Sequence, residues 1–118
     1  MRSLSFLLAF ASSAFAYLVN VPSESHGWTS HGHQPLQWSR VDTDSPSFTV
    51  VLTNQDRNIL PQDIVLAYYV DGTRLYDSIR APYGGFPTGD HFRVNLVKDP
   101  SDTSTIFAQS SEFSIHGW

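Results

Sequence analysis

The stretch DIVLAYYVDGTRLYDSIR, residues 63–80, decides the fold class. On an extended chain Ile64, Leu66, Tyr68 and Val70 share one face, while Val65, Ala67 and Tyr69 share the other. Asp71-Gly72 follows, the dipeptide that best supports the left-handed dihedrals of a tight hairpin. The pattern predicts one strand over 63–70, a two-residue turn, and a second strand over 73–79.

The same period of two runs through the rest of the chain. SFTVVLTN sets Phe48, Val50 and Leu52 against Thr49, Val51 and Thr53, and HFRVNLVK sets Phe92, Val94 and Leu96 against Arg93, Asn95 and Val97. Leu36 and Trp38 share a face in QPLQWS, as do Phe113 and Ile115 near the end. Each segment has the pattern of a half-buried strand. Turn-forming runs rich in Asp, Asn, Gly, Pro and Ser separate them, and the aspartates there cap and bend the backbone. Seven strands are predicted, over 17–22, 34–39, 47–54, 63–70, 73–79, 90–98 and 105–116. About seven short strands in about 100 residues mark an all-β, seven-stranded immunoglobulin/fibronectin-like β-sandwich. No segment shows an apolar face at helical spacing.

The chain has 118 residues and no cysteine, so this sandwich is predicted without disulfides. Packing alone must hold it, and eight Phe, five Tyr and three Trp supply the apolar area. MRSLSFLLAFASSAFA, residues 1–16, pairs a basic start with an apolar run and an Ala14-x-Ala16 ending. That is the pattern of a cleaved signal peptide, with the cut between Ala16 and Tyr17. The run is shorter than the roughly 20 residues a membrane helix needs. A secreted, extracellular domain over 17–118 is expected, with no membrane anchor in the mature chain. Seven Lys and Arg face eleven Asp and Glu, a net charge of −4. Without a basic patch to neutralise phosphates, nucleic acid is excluded as a partner. Asn20, Asn54, Asn58 and Asn95 all lack the Ser or Thr of a glycosylation acceptor.

The landmarks LVNVP (18–22), WTSHG (28–32), QPLQW (34–38), FTVVLTN (48–54), GDHFRVNL (89–96) and SSEFSI (110–115) come in a specific order. Together they resemble the immunoglobulin-like N-terminal domain of fungal cell-wall proteins involved in β-1,6-glucan synthesis. That domain also occurs in Ser/Thr-rich, lipid-anchored surface proteins. The resemblance implies a secreted domain of the fungal cell wall whose partner is a wall polysaccharide or wall protein. It carries over no catalytic residue.

SHGWTSHGH, residues 25–33, offers His26, His31 and His33 as metal donors. A zinc or copper site needs at least three donors converging on one point. The preferred reading is a solvated loop before the QPLQW strand, and no metal or other cofactor is expected. No carboxylate pair or nucleophile arrangement is marked by spacing, so the chain is read as non-catalytic. Trp38, Phe48, Phe92 and Phe113 belong to core stripes, whereas Trp28, Tyr76 and Tyr83 are candidates for stacking on sugar rings. A secreted effector binding a host or neighbouring protein is the alternative, and a small histidine-based metal-binding protein the third. N-terminal sequencing of the extracellular protein should read YLVNV, with Tyr17 first; a sequence starting at Met1 would refute the leader.

Overall fold

The computed structural model describes residues 17–41 and 45–117. The leader predicted for 1–16 lies outside the described residues, as does Trp118. Among the described residues the fold is all β, with nine strands in two sheets. These are β1 (Leu18–Val21), β2 (Trp28–Thr29), β3 (His33–Ser39), β4 (Ser47–Asn54), β5 (Ile64–Asp71), β6 (Tyr76–Arg80), β7 (Gly89–Asp99), β8 (Asp102–Gln109) and β9 (Phe113–His116). The small sheet has the order β1-β3-β6. The large one runs β2-β9-β7-β4-β5, with β8 also on β7.

The predicted strand 105–116 is two strands. β8 pairs with the C-terminal half of β7 and β9 with its N-terminal half, so both lie along one edge. Between them the buried Ser110 interrupts the ladder. Its N–H donates to the Val94 carbonyl at 2.8 Å, and its hydroxyl accepts from Val94 N–H at 2.9 Å. The sequence pattern also missed β2, which is two residues long and runs parallel to β9 (Trp28 beside Ile115, Thr29 beside His116). Gly27 permits that approach, because a Cβ there would lie 2.2 Å from the Ser114 carbonyl oxygen.

Asp71-Gly72 does not make a hairpin. Gly72 begins a 3-10 turn (Gly72–Arg74) that carries the chain from β5 in the large sheet to β6 in the small one. Leu75, at φ 65°, takes the left-handed conformation instead of Gly72. Side-chain demands account for this. The Trp38 indole N–H needs an acceptor once buried, and it donates to the Gly72 carbonyl at 2.8 Å. Gly72 N–H donates to the Pro46 carbonyl at 2.8 Å, and Trp38 N–H to the Leu75 carbonyl at 3.2 Å. A Cβ on Gly72 would lie 2.1 Å from the Tyr17 hydroxyl, which itself donates to the Ser45 carbonyl.

The core lies between the sheets and is aromatic at both ends. Phe48 meets Trp38 and Tyr17 edge-on at 5.0 and 5.3 Å between ring centroids, and Tyr17 stacks on Phe107. At the other end Trp28 stacks on Phe86 at 5.5 Å and meets Phe113 edge-on at 5.2 Å. Leu36, Val50, Leu52, Ile79, Val94 and Leu96 fill the space between.

Two alternations depart from the half-buried pattern. On β4 and β7 the outward residues Thr49 and Val97 are 0 % exposed, and Val51 and Asn95 are buried too. The outward rungs run Val65–Val51–Asn95–Gln109 and Thr49–Val97–Ile106, so neighbouring strands flank the centre on this face. On β5 a bulge sets Tyr68 and Tyr69 against Thr49, with Tyr69 at φ 49°. Both tyrosines therefore project outward, and Tyr68 leaves the face of Val70.

Trp38→Ala should destabilise the domain by about 3–5 kcal/mol. Trp38→Phe keeps most of the packing but orphans the Gly72 carbonyl, and should cost about 1–3 kcal/mol. Urea unfolding followed by tyrosine fluorescence checks both, and an unchanged midpoint for Trp38→Ala would refute the corner as the anchor.

Candidate functional site

The histidine-rich loop is built around a glutamine. Gln34 is buried, and its side-chain oxygen accepts from Thr29 N–H at 2.8 Å while its amide donates to the His31 carbonyl at 2.7 Å. His31 Nδ1 pairs with the Ser30 hydroxyl at 2.8 Å, and its ring packs against Gly85. His26 closes a separate small turn with Ser23. His33 starts β3 opposite Arg80. The three rings are not brought to one point, and among the described residues no three His, Cys, Asp or Glu side chains cluster for a metal ion.

The three candidate aromatics separate as well. Trp28 is 2 % exposed and belongs to the core, its indole N–H donating to the Pro35 carbonyl at 2.8 Å. It is therefore not a surface residue open to a sugar ring, because its strand pairs with β9 and turns the ring inward. Tyr76 begins β6 and is half exposed, whereas Tyr83 stands fully exposed in the loop that follows that strand. Glycines at positive φ, Gly84 and Gly85, shape that loop.

Tyr76 has other company. β5 and β6 are the outer strands of the two sheets, joined by the short turn at 72–74, so they form one flank of the fold. Tyr68 (62 % exposed), Tyr69 (65 %), Leu75 (48 %) and Tyr76 (47 %) all belong to this flank. Among the described residues the other exposed large hydrophobics, Leu18, Val41, Tyr83 and Ile106, are scattered. Periodicity assigned Tyr68 to the face of Val70, and only the bulge frees it.

A polar groove lies elsewhere, where β7 begins. It has a volume of about 360 Å³ and adjoins a second hollow of about 160 Å³, with His91, Arg93 and Glu112 shared between them. His91 Nδ1 meets Glu112 Oε1 at 3.1 Å, and Arg93 approaches Glu112 Oε2 at 3.8 Å. Ser114 donates to Asp90 Oδ1 at 2.6 Å. The hydrogen bond that the protonated ring donates to Glu112 raises the His91 pKa above its ordinary value. Its charge and those of Asp90 and Asp56 act in the same direction, and desolvation opposes them. By contrast Asp71 and Asp102 are lowered, chiefly by bonds from Thr73 and Thr105, and act as turn formers, as the sequence suggested.

Two curated proteins of Schizosaccharomyces pombe are similar to this chain. One carries the name Uncharacterized protein C553.10 and is 31% identical over 92% of this chain, which spans 30% of that protein. The other, Serine/threonine-rich protein adg2, is 29% identical over 94% of this chain, which spans 16% of its length. The chain thus spans less than a third of either relative. No family profile matches it. No solved structure matches it either.

A folded imidazole that holds its proton more tightly than an unfolded one stabilises the fold at low pH. The His91–Glu112 contribution should be fully present below the unfolded value of 6.5 and fade as pH rises through the higher folded value. In an NMR titration His91 should titrate above 6.5, and Glu112→Gln should bring it back down. An unmoved midpoint in that variant would refute Glu112 as the cause.

Proposed function

We propose that the chain is a secreted, non-catalytic binding module of the fungal cell wall, an immunoglobulin/fibronectin-type sandwich that holds wall glycan on its β5–β6 flank. The strand order supports the sandwich type: β1-β3-β6 stacks on β5-β4-β7 with β8 and β9 at its edge, and β2 lies parallel to β9. The leader pattern supports a secreted domain, and without cysteine that domain relies on packing. The relatives agree with a module, since in each the matching region is a minor part of a longer fungal protein, one of them Ser/Thr-rich.

One observation carries the glycan reading. Tyr68, Tyr69 and Tyr76 project from a flank where both sheets end, with Leu75 beside them. Aromatic rings present a flat apolar face and a hydroxyl at the rim, which suits a sugar ring with apolar faces and polar edges. A bulge that turns two neighbouring tyrosines outward is a device for presenting side chains rather than for burying them.

The mature protein should stay with washed, insoluble wall glucan. Alanine at Tyr68, Tyr69 or Tyr76 should weaken retention about 3- to 10-fold per ring, equivalent to about 0.6–1.4 kcal/mol. Stacking on a neutral sugar needs no ion pair, so retention should persist as salt shortens the screening length to about 10 Å at 0.1 M and below. Tyr83→Ala, in the separate loop, should have a smaller effect. Release of oligosaccharide on long incubation, or undiminished retention of the triple Tyr68/Tyr69/Tyr76 variant, would overturn the proposal.

A further inference from the structure

We infer that the groove at the start of β7 is a polar subsite for one pyranose unit of a neutral glycan, an inference that rests on the glycan reading above but uses different residues. The groove is built by a second bulge. Gly89 pairs with Ile115 and Phe92 with Phe113, so Asp90 and His91 together oppose Ser114. His91 sits at φ 71°, a conformation a residue with a side chain adopts at a cost, and such residues concentrate at functional sites. The buried Asn54 holds it there, donating from Nδ2 to the Asp90 carbonyl at 2.8 Å. Both side chains are thereby aimed out of the sheet into the groove.

The chemistry presented is mixed in a particular way. Among the described residues, the Glu24 carboxylate and Asp90 Oδ2 have no protein partner, and His91 Nε2 is likewise uncommitted. Arg93 supplies donors beside Glu112, and Ser111 a hydroxyl. A bound cation would call for acceptors alone and a bound anion for donors alone. Here carboxylates alternate with guanidinium, imidazole and hydroxyl groups, and no metal-binding trio forms among the described residues. A sugar hydroxyl donates and accepts at once, which is what such a lining satisfies. The volume of about 360 Å³ falls within the roughly 300–1,000 Å³ of small-molecule sites. Phe113 is the aromatic residue among those lining the groove, and it is buried, so hydrogen bonds rather than ring stacking would govern what enters. Sites of that kind discriminate by hydroxyl placement, because a missing hydroxyl leaves a polar group unpaired.

The test is an NMR titration of the isotope-labelled mature protein with soluble β-1,6-linked and β-1,3-linked glucose tetrasaccharides, with a mannose oligomer as comparison. Amide shifts should cluster at Asp90, His91, Arg93, Ser111 and Glu112 with one sugar in preference to the others. The double variant Glu24→Gln/Asp90→Asn, at exposed positions, should weaken those shifts at least tenfold, while the triple tyrosine variant keeps them. Shifts confined to 68–76 would overturn the groove and leave the flank standing. Wild-type affinity in the double variant would also overturn it. Failure of wall retention together with silence at both places would overturn both readings.

Discussion

The chain leaves the large sheet and enters the small one at Gly72, and the Trp38 indole N–H on the Gly72 carbonyl fixes that crossing. Much of the rest depends on this contact. It sets where β6 can begin, ties β3 to the turn through the Leu75 carbonyl, and closes the core over Phe48. Because the turn is spent on moving between sheets, β5 and β6 are left as outer strands without a common ladder. The tyrosines gather on the flank that results. An inward hydrogen bond thus creates an outward surface.

The strand content was legible because apolar residues repeat at every second position and turn residues divide them. The β4 run over Ser47–Asn54 is found where periodicity placed it. Connections were less legible. Asp71-Gly72 has the residue types of a tight turn, yet the acceptor needed by a tryptophan more than thirty positions earlier decided its geometry. Local pattern cannot report a partner so distant in sequence. The break between β8 and β9 escaped for a related reason, since the Ser110 hydroxyl takes the bond from Val94 N–H in place of a backbone carbonyl and leaves the apolar alternation intact on both sides.

The candidate sites were less legible still. Tyr76 and Tyr83 were found to be exposed, but Trp28 proved to be a core residue, because a two-residue strand gives no periodic signal. Tyr68 and Tyr69 became surface residues through a bulge that alternation does not encode. His91 and Glu112 are twenty-one positions apart, and only the pairing of β7 with β9 brings them together. Tyr68 and Tyr69 on the flank, and Asp90 and His91 in the groove, are exposed where a strand carries one residue too many.

The parallel contact between β2 and β9 has a mechanical side. β2 lies near the beginning of the folded region and β9 near its end, and they run alongside each other in the same direction. Tension applied at the N-terminal end of β2 and the C-terminal end of β9 would drag these strands past one another along their axes. The hydrogen bonds between them, with the bond from Ser30 N–H to the His116 carbonyl, would then be loaded together rather than unzipped in turn. Resistance to forced unfolding is set by the rate at which such a contact gives way. A packed tryptophan sits at that contact, with Phe113 against its edge and Phe86 on its face. In a domain without covalent cross-links, this places the clasp against pulling beside one end of the core.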